Sequence, residues 1–262
     1  MILYTLYFIL GLVVGSFLNV VIDRLKTGES IIRGRSYCPK CRAILKWYDL
    51  IPLLSFILLG GRCRYCKEKI SWQYPIVEIA TGFLFVFLTI RVYPELIELL
   101  FYLFLTSCFI VIFVFDLKYF IIPDKIIYPA IAISIMYHLS SIIYGQNYTS
   151  YIIHYTLYNY AGSAFVASAF FGALVLISRG RWMGLGDVKL AFLMGLILGW
   201  PEILLALFLS FLSGALVGLG LIAFGQKTFK SQVPFGPFLS ASTIFSLFFG
   251  SQILDWYLRF LF

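Results

Sequence analysis

Long apolar runs separated by short polar breaks make up most of this chain. Most of these runs reach the roughly 17–25 residues with which a helix crosses the hydrocarbon of a bilayer. Eight of them are candidates for such helices, at residues 2–22, 74–90, 99–115, 126–144, 156–178, 187–200, 203–224 and 238–256. The pattern predicts an all-α polytopic membrane protein with about eight transmembrane helices.

The composition excludes an ordinary soluble protein. Hydrophobic residues make up 61% of the 262 residues and charged residues 12%, whereas a soluble domain is about 45–50% apolar and about 25% charged. Met1 opens the first apolar run with neither a basic n-region before it nor a cleavage site after it. We therefore expect a retained membrane helix there rather than a signal peptide.

The apolar run that follows Asp187 is shorter than the others. It meets the hairpin sequence of residues 199–202 after about 13 residues, which gives roughly 20 Å of helix at 1.5 Å per residue. The hydrocarbon core of a bilayer is about 30 Å thick. Asp187 is therefore expected to lie slightly inside the membrane, provided that its helix begins after Gly184.

The positions of the basic residues orient the predicted helices. Eighteen of the twenty Lys and Arg residues fall in loops on one side of an eight-helix arrangement, and only Arg91 and Arg259 fall on the other. Basic loops remain in the cytoplasm, so both termini are expected outside. The loops predicted inside are 23–73, 116–125, 179–189 and 225–237. The net charge of +8 then reflects topology in a lipid bilayer, and no nucleic-acid partner is expected.

One sizeable polar region divides the chain into three parts. A first transmembrane helix covers residues 1–22, a cytoplasmic loop covers 23–73, and a multi-span membrane core covers 74–262. Within the loop, the apolar segment 50–59 is too short to span a bilayer. We expect this segment to pack against the membrane face or against the rest of the loop.

The loop contains two C-x-x-C pairs, formed by Cys38 with Cys41 and by Cys63 with Cys66. Each pair lets two thiolates reach one tetrahedral ion, so the two pairs predict a closed, structural Zn²⁺ site with four cysteine ligands. Disulfides are the alternative, but a cytosolic loop disfavours them. A redox C-x-x-C would not explain two pairs. The fifth cysteine, Cys108, lies alone in an apolar run and is expected to pack in the core.

Two aspartates fall on the cytoplasmic side of this arrangement, each at the end of a predicted helix: Asp116 and Asp187. Taken singly, either aspartate could be an ordinary interfacial or capping residue. Asp116 is a poor cap because it would end its helix, where a negative charge opposes the helix dipole. Asp124 is a third candidate, but it starts the next predicted helix, where N-capping is the expected role.

The chemistry of two neighbouring carboxyl groups favours a catalytic pair. Two carboxylates that share a site do not both ionise easily, so one proton is held between them. The ionised member can accept a proton from water as it attacks a peptide carbonyl, and the protonated member can donate to that carbonyl. The sequence therefore makes Asp116 and Asp187 candidates for an aspartyl catalytic pair.

Several motifs in order along the chain resemble one known family. They are residues 15–20 with Arg24, the two C-x-x-C pairs, residues 74–78, residues 116–124, the Gly-Leu-Gly-Asp-Val-Lys of 184–189 and the Pro-Phe-Gly-Pro of 234–237. This set resembles the type IV prepilin peptidases, bacterial members of the GxGD intramembrane aspartyl proteases. A lone G-x-G-D is a weak signal, whereas the ordered set of motifs is specific.

The resemblance implies an aspartic endopeptidase of the bacterial inner membrane. Its substrates would be prepilins or pseudopilins of type IV pilus or protein secretion systems, cut on the cytoplasmic side after a short basic leader. The family's aspartate pair falls on Asp116 and Asp187, with Gly184, Gly186 and Lys189 as supporting residues of the catalytic loop. Many members also N-methylate the new N-terminus with S-adenosyl-L-methionine. That second activity is implied by the resemblance alone.

Glu78 is an acidic residue a few positions into a predicted membrane helix, where a charge is costly without a partner. It is a candidate for contact with the substrate amine or for a role in methylation, and a structural ion pair is the alternative.

Two other classes of function would each account for part of these features. A proton-coupled transporter would place acids at the midplane and show internal repeats, whereas the two aspartates are expected at one face and no repeat is apparent. A zinc-stabilised scaffold would explain the cysteines but not the two aspartates.

Overall fold

The computed structural model describes residues 1–144, 150–226, 228 and 232–261, and the described chain is mostly helical. The α-helices are α1 (Ile2–Thr27), α2 (Leu54–Leu58), α3 (Gln73–Val92), α4 (Leu96–Tyr119), α5 (Asp124–Tyr144), α6 (Ser150–Ser178), α7 (Leu185–Leu198), α8 (Glu202–Ala223) and α9 (Gly236–Leu261), with a 3₁₀ turn at Trp47–Leu50. In the described part, β pairing consists of two isolated bridges. Lys227 and Lys230, which the charge pattern places inside, lie outside the described residues.

All eight predicted apolar runs form helices, which confirms the all-α membrane class. Among the described residues, six helices are long and apolar enough to cross a membrane. They are Ile2–Thr27, Gln73–Val92, Leu96–Tyr119, Tyr158–Ser178, Glu202–Ala223 and Gly236–Phe260. α5 and α7 are the other two helices of the predicted eight, and α7 has only 14 residues. The count of eight spans stays a prediction.

The chain forms two compact units, Met1–Val111 and Ile112–Phe262. In the first unit, α1 packs along α3 at backbone distance because glycines line the contact. A Cβ atom on Gly11 would lie 2.6 Å from the Cα of Gly82, and one on Gly15 would lie 2.8 Å from the Cα of Glu78. Larger side chains at these positions would force the two helices apart.

In the second unit, α7 contacts α5, α6, α8 and α9. Leu190, Leu193 and Met194 on α7 are fully buried. A Cβ atom on Gly195 would lie only 2.4 Å from the Cα of Ala164 on α6, so these two helices touch through their backbones. A short central helix carrying Asp187 at its start is therefore the core of this unit.

Candidate active site

Asp116 lies near the C-terminal end of α4 and is 5% exposed. Its Oδ2 atom accepts a hydrogen bond of 3.0 Å from the backbone N–H of Gly236, the first residue of α9. The first N–H groups of a helix have no partner within that helix and carry the positive end of its dipole. The dipole of α4 disfavours a carboxylate at its C-terminal end, whereas the dipole and the free N–H groups at the start of α9 stabilise it.

Gly236 leaves no room for a side chain beside Asp116. A Cβ atom at this position would lie 2.7 Å from Asp116 Oδ2, a distance that real Cβ contacts essentially never show. The preceding residue, Phe235, packs against the rings of Phe171, Phe211 and Phe238. The aromatic cluster holds the segment in place, and the glycine lets its backbone approach the carboxylate.

Asp187 is the third residue of α7 and is half-buried. Its Oδ2 atom accepts a hydrogen bond of 3.3 Å from the backbone N–H of Gly184. α7 begins at Leu185, directly after Gly184, so the condition on which the expected depth of Asp187 depends is met. The sequence left open a capping role for Asp187, and this hydrogen bond at the N-terminus of α7 is a capping contact.

The structure brings Asp116 and Asp187 together within Ile112–Phe262. The two carboxyl groups lie close enough for the charge of Asp116 to influence Asp187. Among the described residues, each carboxyl group has one hydrogen-bonded oxygen, Oδ2, held by a glycine N–H. The two Oδ1 atoms remain available for a shared proton, a water molecule or a substrate group.

The two glycines of the Gly-Leu-Gly-Asp sequence have different surroundings. A Cβ atom on Gly186 would lie 3.1 Å from the Cβ of Ile122, so this glycine allows the turn to pack on the segment between α4 and α5. Gly184 is exposed, and a Cβ atom there would have only the N atom of Gly186 within 4 Å, at 3.8 Å. The open side of the turn is therefore next to Gly184.

Asp124 begins α5, as predicted, and does not join the aspartate pair. Its Oδ1 atom accepts a hydrogen bond of 2.6 Å from Lys189 Nζ, one turn into α7. The same ammonium group lies 4.9 Å from the ring centroid of Tyr128. Lys189 thus ties the start of α5 to the helix that carries Asp187.

The four predicted metal ligands converge in the first unit. The Sγ atoms of Cys38, Cys41, Cys63 and Cys66 all lie within 4.8 Å of one another. The Sγ atoms of Cys38 and Cys66 are 3.8 Å apart, and a tetrahedral zinc with bonds of about 2.3 Å separates its sulfurs by about 3.8 Å. None of the four is in a disulfide. The donor set fits Zn²⁺.

The two C-x-x-C pairs have the same backbone conformation. Arg42 and Lys67, each directly after its second cysteine, have φ values of 58° and 57°. The N–H of each donates back to the carbonyl of the first cysteine, at 2.9 Å to Cys38 and 3.0 Å to Cys63. Each knuckle is closed by an antiparallel bridge, Tyr37 to Ile44 and Arg62 to Lys69. This internal symmetry was not apparent from the sequence.

Asp49 is a structural residue of the loop that the sequence analysis missed. Its side chain is only 3% exposed and accepts hydrogen bonds from Arg64 Nε at 2.6 Å and from the Lys46 N–H at 3.2 Å. Burial disfavours the charged form, but the hydrogen bonds from Arg64 and Lys46 outweigh it and lower the pKa of Asp49. Arg64 lies between Cys63 and Cys66, so Asp49 fixes the second knuckle to the 3₁₀ turn.

Glu78 is buried in the first unit, at 7% exposure. Its Oε2 atom accepts a hydrogen bond of 2.9 Å from the N–H of Leu53, and the side chain of Ser16 lies nearby. Glu78 takes part in none of the ion pairs found among the described residues. The partner that the sequence could not identify is therefore a backbone amide in the polar loop.

The chain matches two family models. The bacterial peptidase A24 N-terminal domain matches residues 9–92, and the type IV leader peptidase family matches residues 103–219.

Several curated proteins are similar to nearly the whole chain. It is 31% identical to a Bacillus subtilis protein, over 97% of this chain and 98% of that protein. It is 30% identical to an Aeromonas salmonicida protein, over 97% and 94%, and 36% identical to a Myxococcus xanthus protein, over 84% and 63%. Each of these relatives is named prepilin leader peptidase/N-methyltransferase. No solved structure gives a significant match.

Proposed function

The chain belongs to the type IV leader peptidase family, and from this premise we propose that it is a membrane aspartyl endopeptidase with Asp116 and Asp187 as its catalytic pair. The single observation that carries the assignment is the approach of the two carboxyl groups, each held through Oδ2 by a glycine N–H. Gly184, Gly186 and Lys189 support the loop that presents Asp187.

The proposed reaction uses the two carboxyl groups as one acid and one base. The ionised member takes a proton from a water molecule as the water oxygen attacks the scissile carbonyl. The protonated member donates its proton to the carbonyl oxygen. When the tetrahedral intermediate collapses, the aspartate that took the water proton gives it to the leaving amine and the C–N bond breaks. The other aspartate takes back a proton from a hydroxyl of the intermediate, which restores the pair. Fixing one oxygen of each aspartate keeps the reacting Oδ1 atoms in place. A fixed geometry lowers the activation barrier because less orientational entropy has to be lost on reaching the transition state.

The proposed substrates are prepilins or pseudopilins, the class named for the relatives. We place the cleavage on the cytoplasmic side, with both termini of the chain outside, because the basic loops cluster on one side of the predicted spans. At that position the short basic leader of the substrate would lie in the cytoplasm and the hydrophobic helix that follows it would lie in the membrane. The open side of the turn at Gly184 supports an extended substrate strand next to Asp187.

We also propose N-methylation of the new N-terminus, with S-adenosyl-L-methionine as methyl donor, on the strength of the relatives' names. The described residues do not form a Rossmann-type site for that cofactor, since their β pairing is limited to two isolated bridges. Glu78 is the proposed contact for the substrate amine or the methylation chemistry, and its burial between Ser16 and Leu53 supports a fixed position.

The four cysteines are proposed to hold one structural Zn²⁺. Four protein ligands leave no open coordination position, so the ion would stabilise the loop rather than act on the substrate. The thiolates would hold the two knuckles together across the apolar segment 54–58 that separates them.

Mass spectrometry of a prepilin co-expressed with the full chain tests the proposed function. We expect the mature pilin to lack its leader and to carry one extra methyl group on its new N-terminus. A pilin that keeps its leader in the presence of folded, membrane-inserted protein would overturn the peptidase proposal. Cleavage without the added mass would overturn the methylation proposal alone.

A further inference from the structure

The short helix α2 presents an apolar face that no described residue covers. Leu54, Ile57 and Leu58 are 50%, 71% and 75% exposed, and residues spaced by three and four positions share one face of a helix. Nearby in sequence, Trp47 is also largely exposed. Water solvates such a cluster of large apolar side chains poorly. The cluster therefore marks a surface that binds a membrane or another apolar partner.

A hydrogen bond sets the depth of α2 against a membrane helix. Leu53, directly before α2, donates its N–H to Glu78 Oε2 at 2.9 Å. Glu78 is the sixth residue of α3, which places the bond about 7.5 Å along that helix at 1.5 Å per residue. Phe56 on α2 also packs against Trp72, with ring centroids 5.2 Å apart. These contacts hold α2 beside the first turns of α3.

The loop that carries α2 is strongly basic. Between residues 23 and 73 there are eleven Lys and Arg residues and four Asp and Glu residues. Ten of the eleven basic side chains are exposed, the exception being Arg24. Arg24 is buried and donates to backbone carbonyls, including those of Ser30 and Arg33. Exposed cations at a bilayer surface are attracted by anionic lipid headgroups.

We propose that α2 is an interfacial helix, which inserts Leu54, Ile57 and Leu58 into the headgroup–acyl boundary while the exposed cations of its loop bind anionic lipids. Both ends of the loop continue into membrane helices, α1 and α3, so the loop is held at the bilayer surface. An apolar face flanked by cations is the pattern of an interfacial helix. The bilayer is preferred over a basic substrate leader as occupant because a basic loop repels such a leader. This inference does not depend on the peptidase function.

Photo-cross-linking in nanodiscs tests the proposal with the full chain. Ile57→p-benzoylphenylalanine places the photoreactive group on the exposed face of α2, and Phe56→p-benzoylphenylalanine places it on the side that packs against Trp72. Leu58→p-benzoylphenylalanine is a second exposed position, in case the first variant does not fold. The bilayers contain either phosphatidylcholine alone or phosphatidylcholine mixed with phosphatidylglycerol. Adducts are identified by mass spectrometry.

We expect lipid adducts at position 57 or 58 to exceed those at position 56 roughly tenfold. In mixed bilayers, phosphatidylglycerol should be over-represented in the adducts, and high salt should remove that excess because it screens surface charge. Equal lipid labelling at positions 56 and 57 would overturn insertion. Insertion would also be overturned if positions 57 and 58 formed adducts only with protein, whether with a substrate or with a second copy of the chain. Lipid adducts without the phosphatidylglycerol excess would overturn the role of the cations.

Discussion

Gly236 donates its backbone N–H to Oδ2 of Asp116, although the two residues are 120 positions apart in the sequence. The contact joins the end of α4 to the start of α9 and brings the Pro-Phe-Gly-Pro segment to the carboxyl group that we assign to catalysis. Because the absent Cβ would lie 2.7 Å from the carboxylate oxygen, the position demands glycine for steric reasons.

Gly236→Ala is therefore expected to displace the Asp116 carboxyl group and to lower kcat for leader cleavage. A misplacement of about 1 Å in a catalytic group costs roughly 100-fold, while KM should change little because the substrate is not contacted. Gly250→Ala is the matched control on the same helix. Its Cβ would meet the flexible side chain of Glu202 at 3.1 Å, so its kcat should stay close to that of the wild type. Equal kcat values for the two variants would contradict the positioning role of Gly236.

The ion pair between Asp124 and Lys189 is expected to support the catalytic loop without taking part in the reaction. Asp124 is 58% exposed and Lys189 is 30% exposed, and pairs of this kind contribute about 0.2–1 kcal/mol. Asp124→Asn and Lys189→Met should each lower cleavage only a few-fold. A double-mutant cycle should return a coupling in that range. Complete loss of cleavage in Asp124→Asn would place this aspartate in the reaction instead.

The metal proposal predicts about one zinc per chain, since four cysteines form one closed site. Cys38→Ser should abolish the bound zinc, as measured by elemental analysis of the purified protein. Cys108→Ser is the control, because this cysteine is buried outside the cluster and its replacement should leave the zinc content unchanged. A wild-type protein without zinc, or zinc retained in Cys38→Ser, would disprove the assignment.

Asp49→Asn should loosen the second knuckle while keeping all four ligands. Residues that orient metal ligands from outside typically change affinity by about 10–100-fold, so a chelator should remove zinc from the variant at least several times faster. The comparison variant is Glu68→Gln, which breaks the exposed ion pair with Lys40 and should scarcely change the rate. Identical release from both variants would show that Asp49 does not hold the knuckle.

Much of the fold could be predicted because apolar runs and paired cysteines are local patterns. The helical segments and the two C-x-x-C pairs follow from residues close in sequence. The Gly236–Asp116 and Leu53–Glu78 contacts join distant segments, and no local pattern specifies which backbone N–H faces a given carboxylate. The Pro-Phe-Gly-Pro motif did contain a usable signal, since a glycine at the start of an apolar run on the side of Asp116 permits close backbone approach.

Asp49 was missed for a different reason. An aspartate in a polar loop is usually solvated, and only the packed knuckle reveals that its side chain is 3% exposed and bound to Arg64. Burial of a charged group depends on the tertiary structure around it rather than on its immediate neighbours in the sequence.

Cleavage of a prepilin by Asp116→Asn and by Asp187→Asn tests the central claim most directly. An amide keeps the shape of the side chain but can neither hold the shared proton nor accept one from water, and general acid–base catalysis contributes typically 10²–10⁴-fold. With zinc content and membrane insertion equal to those of the wild type, each variant should lose at least that much cleavage rate, measured by mass spectrometry of the released leader. A rate within a few-fold of the wild type in either variant would contradict the catalytic pair.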